Sequence, residues 1–116
     1  MPHRDLDVID AAERAAQLVN ELIDRSRSRR LLHVGQMRDA VQSVGANISE
    51  GFGRGKGRDR AHSLEIARGE AEETIRHLSA NFRAGRLTAT EYWPIHNLLV
   101  VIVKMLNSLL RRLSAA

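Results

Sequence analysis

Few residues in this chain combine the types and spacings that chemistry requires. The stretch Gly51-Phe-Gly-Arg-Gly-Lys-Gly57 mixes glycines with cations and invites a phosphate-cradling reading. A nucleotide-binding P-loop needs four residues between its glycines, a Ser or Thr after the lysine, and a strand in front. Here the spacing is three, Gly57 follows Lys56 and a helical pattern precedes, so no P-loop is expected. A flexible turn remains, or a contact to nucleic-acid phosphate. Glu73 and His77 are spaced i, i+4 and could share a metal ion. Helical di-iron sites pair Glu-x-x-His on two helices, and that pattern does not occur here. His3, His33, His62 and His96 are scattered over separate segments. Without a cysteine only Ser or Thr could act as nucleophile, and no context singles one out. No catalytic residue, metal site or cofactor is expected.

What remains is charge. The sequence carries 18 Lys and Arg against 14 Asp and Glu, a net charge of +4, and a pI near 10.6. Only Lys56 and Lys104 are lysine. Arginine suits planar, bidentate contacts to carboxylate or phosphate, although a GC-rich coding sequence gives the same bias. The cations gather in two stretches, Arg25, Arg27, Arg29 and Arg30, then Arg54, Lys56, Arg58 and Arg60. Aromatic content of 3% argues against a base-stacking platform, which leaves phosphate contacts. The lack of cysteine suggests a reducing, cytoplasmic setting, and the polar residues after Met1 suggest no secretory signal. The longest uninterrupted apolar run, Leu98 to Val103, is too short to span a bilayer, so no membrane partner is expected.

Four helices must position these charges in one domain over residues 1–116. The first is expected over about 5–26, where Leu6, Ile9, Ala12, Ala16, Val19 and Ile23 recur in steps of three and four. The second is expected over about 31–50, with Met37, Val41, Val44 and Ile48 on one stripe and Gly51 as its stop. The third, about 59–84, has Asp59 as N-cap and Leu64, Ala67, Ala71, Ile75, Leu78 and Phe82 as its stripe. The fourth, about 88–113, opens on a capping box from Thr88 to Glu91, with Leu87 and Tyr92 as a hydrophobic staple. Pro94 then falls in the second turn and should kink the helix; Thr90 as cap would ease this, but Thr88 is expected. Strand signals are absent. Short links make an antiparallel up-down four-helix bundle the simplest topology.

The fourth helix holds more apolar surface than one bundle face uses. Ile95, Leu98, Leu99, Ile102, Met105, Leu106, Leu109 and Leu113 fill a wide stripe, and Val100, Val101 and Leu110 extend beyond it. Either this helix is deeply buried within the monomer or it touches another subunit. Uncovered apolar patches commonly mark interfaces, so self-association through Val100, Val101 and Leu110 is expected.

The passage Arg38-Asp-Ala-Val-Gln-Ser-Val-Gly-Ala-Asn47-Ile-Ser-Glu50-Gly51-Phe52-Gly53-Arg54 resembles the signature of the four helix bundle protein family, also called the 23S rRNA intervening sequence protein family. That signature reads approximately R-R-A-A-x-S-I-P-S-N-I-A-E-G-x-G-R. Arg4-Asp-Leu-Asp-Val8 is similar to the family's opening R-D-L-x-V, and Leu64-Glu-Ile-Ala-Arg-Gly69 with Glu73 to its L-x-I-A-R-G-S-x-x-E. Gly45 replaces the usual proline, Asp39 replaces an arginine, and Arg60, Ala61, Ser63 and Glu65 make the start of the third helix less apolar. The resemblance implies a four-helix bundle assembling as a homopentamer. Some members are encoded within intervening sequences of large-subunit ribosomal RNA genes. Relatives include the accessory variability determinant of diversity-generating retroelements, thought to bind nucleic acid and a reverse transcriptase.

Within the motif, Asn47 and Glu50 lie one turn apart near a helix end, where side chains can satisfy unpaired backbone groups. Arg38 and Glu73 are a candidate inter-helix ion pair, and Gly51 and Gly53 are structural. Two functions remain open. One is a non-catalytic oligomer binding RNA or DNA through its arginines; the other is a protein-interaction scaffold without nucleic-acid binding.

Overall fold

In the computed structural model, four helices share one apolar core. The structure describes residues 3–54 and 57–115, with side chains for 7–54 and 57–114. Leu6 of the expected first stripe and Lys56 of the cationic loop lie outside these described side chains. The elements are α1 (His3–Arg25), a single 3₁₀ turn (Arg27–Arg29), α2 (Val34–Gly53), α3 (Gly57–Arg83) and α4 (Ala89–Ala115). Each helix packs against two others: α2 and α4 both contact α1 and α3.

The second helix buries Met37, Val41, Val44 and Ile48, the stripe its spacing indicates. Two other stripes shift. On α1 the buried seam is Val8, Ala12, Ala15, Val19, Leu22 and Ile23, while Ile9 and Ala16 sit at its margin. Both rows are apolar, so spacing alone does not choose between them. On α3 the seam runs through Leu64, Ala67, Ala71, Thr74, Leu78 and Asn81, leaving Ile75 and Phe82 half-buried. Two polar residues therefore hold core positions. Thr74 Oγ1 donates to the Glu70 carbonyl at 2.8 Å, and Asn81 Nδ2 donates to the His77 carbonyl at 2.8 Å. Satisfied in this way, they avoid the cost of a bare buried polar group.

The helix ends also depart from the expected bounds. The second helix does not stop at Gly51 but continues through Phe52 to Gly53. Gly51 is there for packing: a Cβ on it would sit 3.1 Å from Leu64 Cδ2 and 3.3 Å from Leu64 Cγ. The same helix begins at Val34, not Leu31, because Leu32 is bonded elsewhere and His33 takes a left-handed φ of 57°. Asp59 lies within the first turn of α3, whose first residue is Gly57. For α4 the Thr88 box forms. The Glu91 amide donates to Thr88 Oγ1 at 3.2 Å, and the Thr88 amide donates to Glu91 Oε1 at 2.9 Å. Leu87 and Tyr92 are both buried in the core. Pro94 lies inside the helix, where the Thr90 carbonyl loses its amide partner.

By length and composition α4 could cross a membrane, with a mean hydropathy of 1.4 over its best window within Ala89–Ser114. The short uninterrupted run Leu98–Val103 concealed this. Packing accounts for part of the apolar content: 28% of that window is buried, and Tyr92, Ile95, Leu99, Ile102, Leu106 and Leu109 enter the common core. Asn97, Lys104, Arg111 and Arg112 lie on the side of α4 turned away from that core.

Glycine substitutions separate packing from propensity. Gly69 lies in the middle of α3 with open space where a Cβ would go, so Gly69→Ala should raise stability by about 1 kcal/mol in chemical denaturation. Gly51→Val, which crowds Leu64, should lower it by about 1–3 kcal/mol.

Candidate nucleic-acid interface

The first arginine-rich stretch is held in place from below by the α3–α4 turn. Asn81, fully buried, faces the connector between α1 and α2. Its Oδ1 accepts the Leu32 amide at 2.6 Å and its Nδ2 donates to the Leu32 carbonyl at 3.0 Å. One side-chain amide thus pairs both backbone groups of a residue that no helix or sheet serves. The backbone of Asn81 also ends α3. Its carbonyl accepts the Arg86 amide at 2.9 Å, while the Gly85 amide donates to the Phe82 carbonyl at 3.0 Å. This is the Schellman pattern, and Gly85 supplies the positive φ of 73° it requires.

The turn so formed aims Arg86 at the connector. Its Nη1 donates to the Arg29 carbonyl at 3.1 Å and the Arg30 carbonyl at 2.7 Å, closing the end of the 3₁₀ turn. From α4, Glu91 accepts a 2.6 Å bond from Arg29 Nη1. The Arg29 guanidinium, followed by the Thr88 amide, holds the Glu91 carboxyl down at about 2. Arg29, expected to meet nucleic acid, therefore spends its charge inside the molecule. Arg25, Arg27 and Arg30 are exposed and make no ion pair among the described residues.

The structure brings together two histidines that the sequence places far apart. His33 Nδ1 and His77 Nδ1 lie 3.1 Å apart, within hydrogen-bonding distance, with the rings edge to face. Burial pushes the His77 imidazole below its usual value, partly opposed by Glu73 and reinforced by His33 and Arg76. Glu73 does not reach Arg38, and its proximity to Glu70 adds to burial in raising the Glu70 carboxyl. Among the described residues no three His, Cys, Asp or Glu are grouped to hold a metal ion. Three buried polar atoms find no partner among the described residues, Ser26 Oγ, His77 Nε2 and Arg86 Nε. All three belong to the connector or to the last turns of α3 and the link beyond it.

The second basic stretch lies at the other end of α2, whose 20 residues span about 30 Å. The monomer does not merge the two stretches into one patch. Arg60 caps the preceding helix: its Nε donates to the Gly51 carbonyl at 3.1 Å, and its Nη2 to the carbonyls of Phe52 and Arg54 at 3.3 and 3.1 Å. Arg54 pairs with Glu50 at 2.6 Å. Of this stretch Arg58 stays exposed and without an ion pair among the described residues. Arg38, expected to reach α3, turns instead to α1, donating to Asn20 Oδ1 at 3.0 Å and to Asp24 Oδ1 at 3.2 Å. Asn47 satisfies no helix end; it donates to the Ser43 carbonyl one turn back, at 2.9 Å. Gly53 has open space where a Cβ would go.

Of the residues expected at a subunit contact, Val101 is 43% exposed, while Val100 and Leu110 are half-buried. Val101 lines a groove with Asp7, Lys104 and Met105. Leu110 lines another with Arg58 and Arg68. Sequence reasoning missed the aromatic grouping. Phe82 and Tyr92 stack at 4.4 Å between centroids, Ser79 and the Tyr92 hydroxyl are hydrogen-bonded at 2.7 Å, and Trp93 meets both rings edge to face.

Four helices around one core, with arginine-rich links at both ends of α2, define a small all-α, four-helix protein. The chain belongs to the family described as 23S rRNA-intervening sequence protein, which it matches over residues 4–108. It is also similar to the crystal structure of a Bacteroides thetaiotaomicron protein of unknown function from the S23 ribosomal protein family. The two are 27% identical with a TM-score of 0.86, covering 93% of this chain and 98% of the other. Among curated proteins none matches.

Two measurements check the anchoring. Asn81→Ala strands the backbone groups of Leu32 and should cost about 3 kcal/mol of unfolding free energy at fixed protein concentration. The folded Glu91 carboxyl, at about 2, titrates below its ordinary 4.5. Its contribution is complete above 4.5 and is lost as pH falls toward 2. The stability difference between the parent protein and Glu91→Gln should accordingly shrink across that window.

Proposed function

We propose that this protein is a non-catalytic helical subunit that self-associates and binds nucleic acid, RNA in particular, through phosphate contacts from its arginine-rich links. The subunit is an antiparallel up-down bundle, and the cytoplasm is its setting. The observation that carries this reading is the anchored connector. Asn81 holds the backbone of Leu32, Arg86 holds the carbonyls of Arg29 and Arg30, and Glu91 holds the Arg29 side chain, in the link that follows Arg25; Arg25, Arg27 and Arg30 stay exposed. Cations on a fixed backbone lose less freedom when they meet phosphate than cations on a loose tail. The second stretch adds Arg58, about 30 Å away along α2. Copies of the subunit, five if the family resemblance holds, would multiply both patches into a surface long enough for a polynucleotide.

A second reading, a protein-interaction scaffold, draws on the exposed Val101 beside half-buried Met105 on α4. The same apolar surface serves self-association, so the two readings divide on the arginines. In an anisotropy titration with RNA, affinity should fall steeply as salt rises. Replacing Arg27 and Arg30 together by Ala should weaken binding without regard to sequence and lower the salt slope by about 1 per phosphate contact removed. No binding at low salt, or binding indifferent to salt, would favour the scaffold.

A further inference from the structure

Three of the four aromatic side chains in the sequence gather where α3 ends and α4 begins. Tyr92 is 5% exposed and Phe82 half-buried, but Trp93 is 46% exposed, more than any other large apolar residue described. Its ring is braced on several sides. Phe82, Tyr92 and His96 contact it at centroid distances of 5.9, 4.9 and 5.0 Å, all edge to face at 68–77°. None of the three stacks on it. Trp93 is thus a braced, half-exposed indole with no parallel ring upon it among the described residues, and the chain's own core gains little from that exposure.

Cations share this end of the molecule. Phe82, against which Trp93 rests, is followed by exposed Arg83 and then by Arg86, which binds the connector backbone at Arg29 and Arg30. Asn81, next to Phe82, binds Leu32 of the same connector. The fold therefore gathers Arg25, Arg27, Arg29, Arg30, Arg83 and Arg86 at the end of the molecule that carries Trp93. The ion-paired acids there are Glu91, held by Arg29, and Asp24, held by Arg38. A rigid aromatic face beside a cationic track is how proteins hold unpaired nucleic acid, because every base offers a π face and every nucleotide a phosphate. A low aromatic count argues against such a platform only when the aromatics are dispersed, and here they are concentrated.

We infer that this end of the molecule grips unpaired RNA, with Trp93 stacking on a base while the exposed Arg25, Arg27, Arg30 and Arg83 hold the flanking phosphates. The inference rests on the nucleic-acid reading above and specifies its strand state and its contact residue. Trp93 is the sole tryptophan of the chain, so its fluorescence reports the contact directly. The probes are a short single-stranded RNA of mixed sequence, the same sequence as a duplex, and the same strand with abasic sugars. The single strand should quench Trp93, and the duplex and the abasic strand should not. Trp93→Ala should weaken single-strand binding about tenfold while leaving duplex binding and the salt slope unchanged, and Trp93→Phe should recover part of the loss. Circular dichroism and thermal unfolding establish whether both variants fold. Should Trp93→Ala lose structure, the folded Trp93→Phe decides, and one that binds no better than Trp93→Ala overturns the inference. Single-strand binding with unchanged fluorescence and no effect of Trp93→Ala overturns this inference and leaves the nucleic-acid reading standing. Loss of self-association in Trp93→Ala at unchanged RNA affinity also overturns it and gives the indole to a protein contact. No binding of any of the three probes overturns both.

Discussion

A single buried carboxamide organises one end of this molecule. Asn81 sits on the core seam of α3 and pairs with both backbone groups of Leu32, so the link from α1 to α2 crosses the bundle at a fixed height. An apolar residue there would fill the same volume but leave a part-buried amide and carbonyl without their partner, at about 1 kcal/mol or more each. The constraint propagates in both directions along the chain. Toward α2 the anchored residue is followed directly by the left-handed turn at His33 from which the helix starts. Toward α4 the backbone of the same residue closes the Schellman turn that aims Arg86 at the connector and brings Glu91 to Arg29.

That arrangement divides the arginines into two kinds. Arg86 and Arg60 are structural: each guanidinium serves backbone carbonyls at a link between helices, one at each end of α2. Arg29, Arg38 and Arg54 are neutralised by nearby carboxylates. What reaches solvent without an acidic partner among the described residues is a smaller set, with Arg25, Arg27, Arg30 and Arg58 prominent in it. Net charge alone overstates the cations available to a partner, since surface pairs of this kind screen them even where they add little stability.

The helices were legible because their apolar residues recur at helical spacing and because Gly85, Thr88 and Glu91 are strong local signals. The family was legible in the passage from Arg38 to Arg54, and the match over residues 4–108 bears that out. What was not legible depended on which helix lies beside which. On α1 two adjacent rows are apolar, and only the positions of α2 and α4 decide that Val8, Ala15 and Leu22 face inward. Gly51 reads as a helix breaker until Leu64 is seen against it. The sequence offers Glu73 on α3 as a partner for Arg38, whereas Asp24 and Asn20 meet it across the α1–α2 contact. Asn81 did leave a signal: it continues the three-and-four spacing of Leu64, Ala67, Ala71, Thr74 and Leu78, so a polar residue stands where the core should be. A polar residue on a buried register is a better pointer to an anchoring role than an arginine on the surface.

The most direct test of the anchored connector is amide hydrogen exchange at Leu32. That amide lies outside every helix, in a link between Arg30 and Val34. If Asn81 holds it, Leu32 should exchange nearly as slowly as the helical amides of Val41 and Val44, far slower than Arg27 and Ser28 in the 3₁₀ turn before it. Exchange of Leu32 as fast as those neighbours would contradict the account and would leave the arginines of the connector on a loose strap.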